Sequence, residues 1–198
     1  MNSRSLSLLA TMAVALAGLA SGCVNATTPD NDPEAYAVYS AILPEVWMVR
    51  VAHANRLIII SDTSTQDLKL EPRGDSEKLL RGALQSYQRL NAHQWQLKPR
   101  FRLGMPYEII PAGGFAAQLE TTYSERPRGA SVDSLYPGAR GVVSLSAVGF
   151  NGRRDVAVVQ MHWYCGFLCG GAETYALQKK AGAWTRLAWD GTSEVLRY

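Results

Sequence analysis

Cysteine and histidine are scarce in this chain, three of each in 198 residues. Metal or thiol chemistry therefore has to be built from a handful of positions. Charge is low as well: 19% of residues are Asp, Glu, Lys or Arg, and 20 basic against 17 acidic side chains leave a net +3. The arginines are scattered (Arg73, Arg81, Arg100, Arg102, Arg126, Arg128, Arg153, Arg154) rather than stacked on one helix, so no nucleic-acid footprint is present. Several catalytic signatures are missing. No Gly-x-Ser-x-Gly elbow occurs, because Ser144 and Ser146 lack glycines at that spacing, and there is no phosphate loop, HExxH or EF-hand. Carboxylates such as Glu108 and Glu120 cannot be brought together from sequence alone. Internal repeats and low-complexity tracts are absent.

The one long apolar run lies at the amino terminus. In MNSRSLSLLATMAVALAGLASGC, Arg4 supplies a positive n-region and Leu6 to Ala20 an apolar h-region, with small residues following at Ser21 and Gly22. The run is short of the roughly 20 apolar residues a membrane span needs. Residues 1–22 are thus expected to be a cleaved export signal. Leu19-Ala20-Ser21-Gly22-Cys23 resembles the lipobox of bacterial lipoproteins, with Ala20 where Leu is usual. The resemblance implies that Cys23 is lipidated and becomes the first mature residue, anchored in a lipid bilayer. Val24 behind it, rather than Asp, implies the periplasmic face of the outer membrane. The polar residues that follow make 23–32 a flexible tether.

Residues 33–198 have the length and apolar content, 47% over the whole chain, of one domain with a sizeable core. The expected class is α+β, with N-terminal helices packed on a C-terminal antiparallel β-meander of about four or five strands. Asp32 can cap, and Pro33 can open, a helix carrying Tyr36, Tyr39 and Leu43 that ends or kinks at Pro44. EVWMVRVAHA is ambiguous between helix and strand. Leu57 to Ile60 reads as a buried strand, and Asp62-Thr63-Ser64 behind it can bind or merely turn. Asp75 or Ser76 opens a second helix with Leu79, Leu80, Ala83, Leu84, Tyr87 and Leu90 at helical spacing. Residues 95–137 offer a short strand at YEII and little else that can be placed. From Gly141 onward, β runs alternate with turn chemistry, and Asn151-Gly152 and Asp190-Gly191 are hairpin signals. The early helices are expected to cover one face of this sheet.

The segment LYPGARGVVSLSAVGFNGRRDVAVVQMHWYCGFLCGGAETYALQKKAGAW resembles the C-terminal half of an uncharacterised group of bacterial secreted proteins, with the pattern YPGA-G, S-VGFN, CG-LCG and K-x-G-x-W. Matching positions include Tyr136, Pro137, Gly138, Ser146, Gly149, Phe150, Asn151, Cys165, Gly166, Cys169, Gly182 and Trp184. Ala147 stands where a larger residue is common. The resemblance implies a family and no activity.

HWYCGFLCGG, residues 162–171, holds the densest group of reactive side chains. With Cys23 lipidated, two thiols remain in an exported protein, where a disulfide is the default. A Cys165–Cys169 bond would staple a hairpin tip. The alternative uses His162, Cys165 and Cys169 as ligands for copper or zinc, with His53 or His93 as a fourth, or treats the dithiol as redox-active. Strand alternation opposes the metal form: Gln160, His162 and Tyr164 share one face, and Met161, Trp163 and Cys165 the other, unless a bulge intervenes.

The sequence points to an envelope-anchored lipoprotein of unidentified activity, more a non-enzymatic binding or structural module than an enzyme, with no cofactor implied. A protein or small-ligand partner in the envelope is expected, on the strength of the aromatic supply, five Trp and nine Tyr.

Overall fold

The computed structural model describes residues 28–50, 56–64, 70–115, 132–166, 169–189, 191–193 and 196–197. The lipobox with Cys23, the signal segment, most of the tether, His53, Glu120, Phe167, Leu168 and Asp190 lie outside them.

Helix α1 (Pro33–Arg50) begins where capping chemistry predicts. Asp32 Oδ1 accepts the Glu34 N–H at 3.0 Å, its carbonyl accepts from Tyr36, and Pro33 takes the first helical position. The helix does not end at Pro44, and EVWMVR, ambiguous from sequence, is helical. Pro44 removes one backbone donor, a loss outweighed by the burial of Ala35, Tyr36, Val38, Tyr39, Ile42 and Leu43 along the same helix. Helix α2 (Gly74–Leu90) opens after Arg73, which makes no side-chain cap, and buries Leu80, Ala83 and Tyr87 from the predicted stripe.

The strands are β1 (Arg56–Ile60), β2 (Leu70–Pro72), β3 (Tyr107–Ile110), β4 (Ala139–Leu145), β5 (Gly149–Phe150), β6 (Val156–Gly166), β7 (Cys169–Lys180), β8 (Ala183–Arg186), β9 (Gly191–Ser193) and β10 (Leu196–Arg197). A single helical turn, Val132–Leu135, precedes β4. The α+β class holds, with a mixed rather than purely antiparallel sheet in the order β10-β7-β6-β4-β1-β3. Antiparallel pairing joins β4 to β6, β6 to β7, and β7 to both β8 and β10. Strand β1 lies parallel to β3 on one side, Leu57 against Tyr107, and parallel to β4 on the other, Ile58 against Val142. The turn expected at Asp190-Gly191 falls partly outside the described residues, and β9, which follows Asp190, pairs with β2.

The helices do not share one face. On one side α1 packs its tyrosines and aliphatics on Leu57, Ile59, Val143, Leu145, Ala157, Val159, Met161, Trp163, Tyr175 and Leu177. On the other, α2 sets Leu80, Ala83 and Tyr87 against Val156, Val158 and Ala176, and beside it Ile58, Ile60, Ile110, Val132 and Val142 form a further cluster. Burial on both faces is why LIII and VAVV read as continuous apolar runs. The α2 contact needs a bare backbone at Gly149, since a Cβ there would overlap the Ala83 carbonyl and the Tyr87 backbone.

Candidate functional site

Cys165 is the penultimate residue of β6 and Cys169 the first of β7, so the hairpin itself brings them together. Gly166 pairs with Cys169 across the tip, and the register shifts between Tyr164 and Gly166. Gly166 takes φ 131°, a backbone state that a Cβ disfavours. The two Cα atoms stand 5.1 Å apart, within the range a disulfide spans, and the structure pairs the sulfurs. Cys165 packs against the α1-side core, whereas Cys169 is exposed.

His162 points the other way. Its Nε2 lies 3.1 Å from Gln160 Oε1, on the face covered by α2, and the same oxygen accepts a 3.5 Å hydrogen bond from the Tyr87 hydroxyl. Burial holds the His162 pKa below its ordinary value. Strand alternation thus keeps His162 and Cys165 on opposite faces despite the register irregularity at the tip, and the three-ligand arrangement is not assembled. His93 is exposed beyond the end of α2. Among the described residues, no three His, Cys, Asp or Glu side chains gather as a metal site.

Gln160 and His162 belong to a polar strip crossing an otherwise apolar sheet. Ser144 lies opposite His162, and Thr174 opposite Gln160. Ser146 Oγ accepts the Gln160 N–H at 2.8 Å and donates to the Ala147 carbonyl. Asn91, just past α2, locks this region: its Oδ1 accepts the Ala147 N–H at 2.8 Å, and its Nδ2 donates to the carbonyls of Tyr87 and Ala147. The strip runs toward the carboxyl end of β1, the position where open sheets with parallel strands place ligands. There Asp62 Oδ2 accepts from Ser61 Oγ at 3.0 Å and the Ala112 N–H at 3.4 Å, and Thr63 Oγ1 accepts from the Trp95 N–H at 2.9 Å. Two of the three residues in Asp62-Thr63-Ser64 thus hold loops to the sheet. The third, Ser64, has a buried hydroxyl with no hydrogen-bond partner among the described residues. Glu108 is paired with Arg56 across β1 and β3.

Sequence reasoning overlooked Tyr87 and Gln160 as members of this strip. The usable signal was Gln160 and His162 two apart in VAVVQMHWY, which places two polar groups on one face of a buried strand. The fold and site together define an α+β domain with a mixed, doubly covered sheet and a cysteine-paired hairpin tip. Comparison of the chain with protein-family models, curated proteins and solved structures gave no match.

Proposed function

We propose that the chain is an exported bacterial lipoprotein of the group sharing the YPGA-G, S-VGFN, CG-LCG, K-x-G-x-W pattern. Residues 1–22 form the signal peptide, Cys23 carries the lipid, 23–32 form the tether, and 33–198 form one domain at the periplasmic face of the outer membrane. The domain is a non-enzymatic binding or structural module whose partner is an envelope protein or a small ligand. The N-terminal helices act as the cover of the C-terminal antiparallel strands, so both halves of the domain fold as one unit.

One observation carries this reading. Of three cysteines, one closes a lipobox-like LASGC, and the other two meet at a Cα separation of 5.1 Å in the fold. That partition of thiols suits an exported, lipid-anchored chain. The polar side chains around the hairpin and the sheet strip largely bond one another, which favours framework over catalysis. Cell fractionation tests the anchor: the wild-type chain is expected in the membrane pellet and the C23S chain in the soluble fraction. Equal pelleting of both in detergent-free buffer contradicts it. Pull-down with the C23S chain tests the module, and recovery of nothing above a surface-scrambled control counts against a protein partner.

The exposure of Cys169 favours one second reading, a redox factor acting through the Cys165–Cys169 pair. Its copper or zinc form would also have to recruit His162 from the opposite face. Thiol–disulfide exchange with a model dithiol, abolished in C165A/C169A, is the result that would move the redox reading ahead.

A further inference from the structure

A surface cavity of about 390 Å3 lies against the first turn of α1, lined by Pro33, Glu34, Tyr36, Ala37, Arg100 and Arg102. This is the size of a small-ligand site. Phe101 is buried in the α1-side core, so the two arginines flanking it turn outward together. The segment carrying them is clamped to α1 by two hydrogen bonds, the Lys98 N–H to Tyr36 Oη at 2.6 Å and the Arg102 N–H to Ser40 Oγ at 2.9 Å. The other charges nearby are already engaged. Glu34 accepts from Trp184 Nε1 at 2.5 Å and from Lys179 Nζ at 2.8 Å, and Lys98 Nζ pairs with Asp30 at 3.0 Å. The arginines are different: among the described residues, the Arg100 guanidinium hydrogen-bonds only the Asn31 carbonyl, at 3.5 Å, and the Arg102 guanidinium has no hydrogen-bond or ion-pair partner.

We propose that this cavity binds a small oxyanion-bearing molecule, its carboxylate or phosphate held between the Arg100 and Arg102 guanidiniums and its short apolar body lying on Pro33 and Ala37. Guanidinium forks match planar and tetrahedral oxyanions, and a segment fixed to α1 offers them with little ordering cost. The inference rests on reading the domain as a binding module, and it names the ligand class. The oxyanion belongs either to a soluble acid or to a phospholipid headgroup, since the cavity opens where the tether enters α1.

The test uses the full chain carrying C23S, which cannot be acylated, so its result is independent of whether wild-type Cys23 bears lipid. Inorganic phosphate is titrated while the arginine Nε–H resonances are followed, and co-sedimentation is measured with phosphatidylcholine vesicles with and without phosphatidylglycerol. R100Q/R102Q is expected to weaken phosphate binding about tenfold, with no change in the charge-matched R73Q/R89Q. Loss of phosphatidylglycerol-dependent sedimentation in the same variant assigns the headgroup as the source; phosphate binding without sedimentation assigns a soluble acid. If R100Q/R102Q unfolds, R102Q carries the comparison alone. Phosphate and vesicle binding that are absent, or equal in all variants, overturn the proposal.

Discussion

At Gly149 a single carbon decides how closely α2 approaches the sheet. Any Cβ would collide with backbone atoms of Ala83 and Tyr87, which cannot move aside as a side-chain tip can. Gly149→Ala is expected to cost on the order of 3 kcal/mol, at the upper end of overpacking penalties, read as a lower urea midpoint with an unchanged slope. A midpoint within error of wild type would mean that α2 does not sit on β5. Asn151 and Ser146 belong to the same residue pattern and have equally local reasons. Asn151 Oδ1 accepts the N–H groups of Asp155 and Val156, closing the turn into β6, and Ser146 Oγ takes the Gln160 N–H. His162 makes a pH prediction. Its pKa is lowered in the fold by burial, so below the unfolded value of 6.5 the unfolded chain takes up a proton that the folded chain refuses. Above 6.5 this group contributes no pH dependence; as pH falls through 6.5 toward the folded pKa, stability declines. Urea melts at successive pH values should show that decline in wild type and a flatter profile in H162Q, and parallel profiles would contradict the half-buried, neutral imidazole.

Among the described elements, β6 and β7 share the longest ladder. It runs from Val156 against Gln178 to Gly166 against Cys169, so the cysteine pair closes a tip that the strands already hold. Closing five residues contributes on the order of 2 kcal/mol on the chain-entropy account. C165A/C169A is therefore expected to lose about that much and to keep protected amides along β6 and β7; loss of the whole sheet's protection would make the pair essential to the fold. The next turn offers a gain. Ala181 and Gly182 link β7 to β8 with φ of 48° and 84°, both positive as in a type I′ turn. Alanine is strained there, and A181N should add up to about 1 kcal/mol, visible as a raised melting temperature. Much of this level was legible beforehand: the Asp32–Pro33 start of α1, the LIII strand, the α2 stripe and the order of β4 to β8. The parallel partners of β1 were not, because Leu57–Tyr107 and Ile58–Val142 join residues that no turn or period connects. The unbroken LIII and VAVV runs did carry a sign of two covered faces. Of the two outcomes expected at Pro44, an end or a kink, the end does not occur, because the helix-breaking preference is outweighed by tertiary burial.

On the scale of the molecule, several residues of the segment 136–184 do framework work. Gly149 admits α2, Asn151 closes a turn, Trp184 anchors Glu34, Gly166 shapes the hairpin tip, and Cys165 with Cys169 seals it. The candidate sites were less legible than the fold. His162, Cys165 and Cys169 stood out as a group, yet alternation along β6 separates the histidine from the thiols, as the spacing foretold. Arg100 and Arg102 gave no motif, since what sets them side by side is the clamping of their segment onto α1. For the proposed export and anchoring through Cys23, one mass measurement reaches both the anchor and the paired cysteines. Protein purified from its own envelope is alkylated with and without prior reduction, and its intact mass is read. The expected result is a chain beginning at Cys23 with added lipid mass, and two alkylation sites that open only after reduction. A chain retaining residues 1–22, a Cys23 that alkylates freely, or Cys165 and Cys169 that alkylate without reduction would contradict it.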